Sequence, residues 1–140
     1  MSGRIVPGSG MTQEVNWLAQ AWSKYAVFEG RARRREYWTF TLANWAISFF
    51  LIVFWVVLED SKSPSWMTAL AAIATIGFSI AVILPQVAVT VRRLHDCDLS
   101  GWLLFVSLVP FVGGLILFVL MMRPGTAGNN RFGPNPKQTA

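Results

Sequence analysis

Charge is what this chain lacks most. Only 14% of its 140 residues are Asp, Glu, Lys or Arg, against roughly 25% in ordinary globular chains. The shortage is concentrated. Tyr37 to Leu58, Trp66 to Val91 and Trp102 to Met122 are 22, 26 and 21 residues long and contain no charge at all. Ion pathways place ionisable groups inside their spans; here Asn44 and Gln86 are the only amides in those runs. Cysteine is equally scarce: a lone Cys97 excludes an intramolecular disulfide and leaves the redox compartment open. No CxxC, HExxH or GxxxxGK[ST] spacing occurs, so zinc-type ligation and a phosphate-cradling loop lose their usual signals. Nor is a cleavable leader expected. The first apolar run starts at Tyr37, too late and too long for one, so it reads as a retained anchor.

What is there is hydrocarbon, 54% of residues being hydrophobic. About 20 consecutive apolar residues match the roughly 30 Å apolar core of a bilayer. The expected fold is therefore all-α, an integral membrane helical bundle of three transmembrane helices (37–58, 66–91 and 102–122). Trp38, Trp55, Trp66 and Trp102 lie near the run ends, where indoles favour the headgroup level. Before the spans, Val15, Leu18, Trp22 and Tyr25 recur at helical spacing, predicting an amphipathic helix over 11–28 that lies in the interface or packs on the protein itself. Residues 1–10 read as a disordered tail and 123–140 as a turn-rich one, in which Gly125, Gly128 and Gly133 are expected at positive φ.

Three details qualify the spans. Asn44 should face another helix, because a lipid-facing amide would be unsatisfied. Pro85 should kink the second span unless a neighbour satisfies the carbonyl it frees. Pro110, Gly113 and Gly114 interrupt the third run; a kinked crossing is the expectation, with a re-entrant hairpin turning at "PFVGG" as the alternative.

The positive charge sets orientation. Four arginines (Arg31, Arg33, Arg34, Arg35) stand directly before the first span. With a cytoplasmic N-terminus and three crossings, eight Lys and Arg lie inside and four outside, as the positive-inside rule prefers. Such a cluster anchors a span to anionic headgroups. The odd crossing number nevertheless puts the basic tail outside, a conflict that the hairpin alternative, or insertion of the interfacial helix, would remove.

Three blocks, "FEGRARRREYW" at 28–38, "VRRLHDCDLSGW" at 91–102 and "PGTAGNNRFGPNP" at 124–136, together resemble the signature blocks of the YhaH-like bacterial inner-membrane proteins, a domain-of-unknown-function family. Ala127 departs from that pattern, standing where a proline is common. The resemblance covers nearly the whole chain and implies an inner-membrane location, but no reaction.

The residues singled out are Arg31, Arg34, Glu36, Arg92, Arg93, His95 and Asp96, as lipid-phosphate ligands or structural ion pairs. Arginine forks suit both tasks. Glu36 beside a span needs a partner: Arg31 or Arg33 locally, or Arg92 or Arg93 across the loops, with Glu36–Arg93 the pair of interest. No catalytic, metal or cofactor residue is assigned. The expected partners are anionic lipid headgroups and a second copy or another membrane protein, and not nucleic acid. The expected function is a non-enzymatic scaffold or a lipid- or envelope-associated protein. The alternatives are a transporter or channel subunit, or a headgroup enzyme using Arg92, Arg93, His95 and Asp96.

Overall fold

A computed structural model describes residues 17–136. The expected tail over 1–10 and the start of the helix over 11–28 lie outside the described residues. The described chain forms α1 (Trp17–Ser23), α2 (Arg34–Asp60), α3 (Ser65–Asp96), a 3-10 segment (Gly101–Leu108) and α4 (Val112–Met122). Among the described residues there is no strand, only an isolated bridge between Asn130 and Gly133.

α2 and α3 are 27 and 32 residues long, about 40 and 48 Å at 1.5 Å per residue. Both are long and apolar enough to cross a membrane. They run antiparallel: Glu36 meets Arg92, and Gln86 donates to the Thr41 hydroxyl at 3.0 Å. Burial is lopsided. The apolar core is a small cluster of Ala32, Phe40 and Val89, with Tyr37 packed on it, at the arginine-rich end. Further along, Phe49, Phe50, Ile73 and Ile80 are each 64–70% exposed. Soluble monomers rarely display contiguous apolar patches of that extent; against lipid tails the same surface costs nothing.

Asn44 is buried rather than lipid-exposed, although its Nδ2 has no hydrogen-bond partner among the described residues. Pro85 removes the amide that would donate to the carbonyl four residues back, at Ala81. The Tyr25 hydroxyl donates to that carbonyl at 2.8 Å, and α3 continues unbroken from Ser65 to Asp96. Tyr25 follows α1, which packs on the protein's own helices: Trp22 meets the Phe40 ring edge-on at 5.8 Å and stacks on Tyr25 at 5.9 Å. Within the described residues α1 ends at Ser23, short of the end expected at 28.

The third run corrects an expectation. It does not form one helix over 102–122. The 3-10 segment ends at Leu108, the chain turns through Val109–Phe111, and α4 returns for 11 residues, about 16 Å and half a bilayer. Pro110 is the cause: it disfavours helical geometry at the preceding residue, and Val109 is extended at φ −75°, ψ 114°. Phe111 at the tip has φ +63° and is 98% exposed. Gly113 then lets the backbones meet, since a Cβ there would lie 1.9 Å from the Val106 carbonyl oxygen. Both ends of the run rest on the last turns of α3. A Cβ on Gly101 would touch Val91 at 2.9 Å, and Arg93 donates to the carbonyls of Met121, at 3.3 Å, and Arg123. The run is a hairpin whose entry and exit share one end of the molecule.

Candidate functional site

The three sequence blocks converge at that end. Gly30, at φ +83°, takes a backbone geometry that suits glycine and turns the chain so that the Ala32 amide donates to the Arg92 carbonyl at 3.0 Å. This contact fixes Arg31 over the end of α3. Its Nε donates to Asp96 Oδ1 at 2.9 Å, Nη1 to the Gly128 carbonyl at 2.7 Å and Nη2 to the Thr126 carbonyl at 2.7 Å. One guanidinium fork thus fastens the segment before α2, the end of α3 and the C-terminal block.

Asp96 takes a second arginine. Arg93 Nη1 lies 2.5 Å from Oδ2, so each carboxylate oxygen has its own cation. Arg31, Arg93 and Asp96 side chains are only 1%, 0% and 7% exposed. A separate pair joins Arg92 Nη1 to Glu36 Oε1 at 2.7 Å, equally buried. Glu36 therefore pairs with Arg92 and not with Arg93, whose guanidinium is turned to Asp96 and the exit of α4. Successive helical residues are 100° apart, so Arg92 faces α2 while Arg93 faces α4. Glu36 sits in the first turn of α2 and Arg93 in the last turn of α3; each charge complements its helix dipole. Arg92 Nε and Nη2 have no acceptor among the described residues.

The C-terminal block also caps α3. The final carbonyls of a helix lack intrahelical donors. Asp96's is met by the Thr126 amide at 2.8 Å and hydroxyl at 3.2 Å, and His95's by Asn130 Nδ2 at 2.8 Å. Gly128 and Gly133 have positive φ as expected, whereas Gly125 does not. Gly125 is needed for another reason: a Cβ there would lie 2.0 Å from Asp96 Oδ2. The His95 ring stacks flat on Phe132 at 3.8 Å, and the Arg131 guanidinium lies 4.7 Å from the centre of the Phe132 ring. Asp96 is turned to arginines, so it does not orient the His95 imidazole for proton transfer.

Arg34 stands apart from the buried set. It is exposed and donates through Nε to the Arg123 carbonyl at 2.9 Å. Arg33 donates through Nε to the Pro136 carbonyl at 2.8 Å. Sequence reading missed the Arg31 fork, the Thr126–Asn130 cap and the Phe132 stack. A signal for the cap existed in the small polar residues following a helix of fixed end, but nothing local pairs them with α3. Among the described residues no group of three or more His, Cys, Asp or Glu side chains is placed to hold a metal ion.

The chain resembles two Escherichia coli proteins over most of its length. Inner membrane protein YhaH of Escherichia coli (strain K12) is 42% identical over 124 residues, covering 88% of this chain and 98% of that protein. Inner membrane protein YhaI of the same strain is 37% identical over 123 residues, covering 88% and 97%. No solved structure matches the chain at a significant level. Residues 25–134 match the family described as "Protein of unknown function (DUF805)", a stretch that holds Arg31, Glu36, Arg92, Asp96 and Thr126 together. The chain belongs to the DUF805 family.

Proposed function

We propose that this chain is an integral inner-membrane protein that crosses the bilayer twice, through α2 and α3. Its third apolar run dips into the membrane as a re-entrant hairpin. Its N-terminus, arginine cluster and C-terminal block share the cytoplasmic face. It works without catalysis, as a compact scaffold whose ordered cytoplasmic platform associates with lipid or a membrane partner. The inner-membrane names of YhaH and YhaI support the location.

The observation that carries this reading is the buried Arg31–Asp96–Arg93 lock, because it holds both sides of the third run at one end of α3. Two crossings also resolve the charge conflict. Lys62 is the only Lys or Arg between α2 and α3, so the other eleven of the 12 fall on the N-terminal side, a far steeper positive-inside bias than eight to four. The ion pairs weigh against a headgroup enzyme: Arg93 and Asp96 are held in the lock and Arg92 is paired with Glu36. A transporter would need ionisable groups deeper in the spans, and the runs carry none.

Accumulation in the membrane tests the reading. Arg93→Ala, which strands the Asp96 and Arg123 contacts, is expected to accumulate at a small fraction of the parent level, while His95→Ala accumulates nearly normally. Normal accumulation of Arg93→Ala together with a lost cellular phenotype would instead assign these residues to a reactive or ligand site.

A further inference from the structure

A cleft of about 640 Å³ opens between the start of α2 and the C-terminal block, within the size range of small-molecule sites. Arg33, Arg34 and Arg35 form one wall, and segments 124–127 and 135–136 the other. Asp96 is the single acidic side chain on its surface. Both Asp96 oxygens are taken, one by Arg31 and one by Arg93, so the carboxylate adds no uncompensated negative charge. The cleft is thus a cationic concavity with no anion of its own to fill it.

The arginines are not spent equally. Arg34 gives only its Nε to the Arg123 carbonyl, leaving its terminal nitrogens available among the described contacts. Arg35 is exposed and makes no hydrogen bond or ion pair among the described residues. Beside them the N-terminal turn of α2 has no side-chain cap, so its first amides have no side-chain acceptor. Terminal guanidinium nitrogens recognise phosphoryl oxygens in a two-point fork. Arg35 also stands two residues before the uncharged run that begins at Tyr37, the depth at which lipid phosphates lie.

We infer that this cleft is a binding site for a phosphoryl group, held by Arg34 and Arg35, and supplied either by a lipid headgroup or by a free phosphate ester. The inference rests on the proposed cytoplasmic platform being ordered, and it gives that platform a ligand class. It differs from general attraction of basic residues to a membrane surface because it requires a saturable site at two named side chains.

The test uses the full chain in phosphatidylcholine nanodiscs. Dihexanoyl phosphatidic acid is the lipid probe; inorganic phosphate and glycerol 3-phosphate are the soluble ones. Saturable binding of at least one probe is expected, with a tenfold or greater weakening in Arg34→Gln/Arg35→Gln. Lys62→Gln, at the far end of the molecule, should leave binding unchanged. Binding of the lipid probe alone identifies a headgroup site; binding of a soluble probe identifies a free phosphate ester. Where the double variant fails to accumulate, the bound probe must shield Arg34 and Arg35 of the unaltered chain from phenylglyoxal, read by mass spectrometry. Absence of saturable binding, undiminished binding by the double variant, or no shielding overturns the inference. Each of those results leaves the two-crossing placement standing, since thiol labelling tests that separately.

Discussion

At the scale of single residues, the molecule is organised by charges that have left water. Removing one member of a buried ion pair strands the other, at a cost of about 3–5 kcal/mol. Glu36→Gln and Arg92→Met are each expected to destabilise the fold by that order, read as a lowered thermal unfolding midpoint in detergent, because Arg92 and Glu36 are 1% and 3% exposed. The exchange Glu36→Arg/Arg92→Glu should recover most of the loss but not all. It puts a cation at the start of α2 and an anion near the end of α3, reversing dipole contributions of about 0.3–1 kcal/mol each. A double variant no better than the singles would reject the pair. Gly125→Ala tests a different force. Its new methyl would press on an Asp96 oxygen already held by Arg93, and overpacking of this kind costs about 1–3 kcal/mol; the same midpoint measurement reads it. The residues of this network were legible in the sequence as a set, since arginines and acids crowd the apolar runs. Their pairing was not. Whether Glu36 meets Arg92 or Arg93 depends on a 100° step around α3, and the role of Gly125 depends on a carboxylate 29 positions away in the chain.

At the scale of elements, two prolines do opposite things. Pro85 lies in an unbroken helix because Tyr25 supplies the missing donor to Ala81. Tyr25→Phe is therefore expected to destabilise by about 1 kcal/mol, the usual net worth of such a bond. Pro85→Ala restores the helix's own amide, so in that background Tyr25→Phe should be nearly neutral. A double-mutant cycle in detergent unfolding measures the coupling; equal costs in both backgrounds would show that the hydroxyl does not serve the freed carbonyl. Pro110, by contrast, ends its segment, because Gly113 allows the returning strand of backbone to close against Val106. Length and hydropathy made α2 and α3 readable to within a few residues. They could not separate a crossing from a hairpin over 102–122, since both conceal the same apolar surface. What decides it is where Gly101 and Arg123 are tied down, and those ties run to α3.

For the whole molecule, the consequence is an asymmetric body: a thin pair of apolar helices, and one thick end where three sequence blocks interlock. That end concentrates the core, the buried ions and the arginine-lined cleft. The far end is a short turn, 61–64, carrying Lys62 at φ +55°. The central claim is that this turn and the C-terminal block lie on opposite sides of the membrane, with the block on the N-terminal side. Thiol labelling tests it most directly. In a Cys97→Ser background, Ser63→Cys and Ala127→Cys are introduced singly and intact spheroplasts are treated with a membrane-impermeant maleimide. The two-crossing arrangement predicts that Cys at 63 reacts at once and Cys at 127 only after lysis; reaction of Cys at 127 in intact spheroplasts would contradict it.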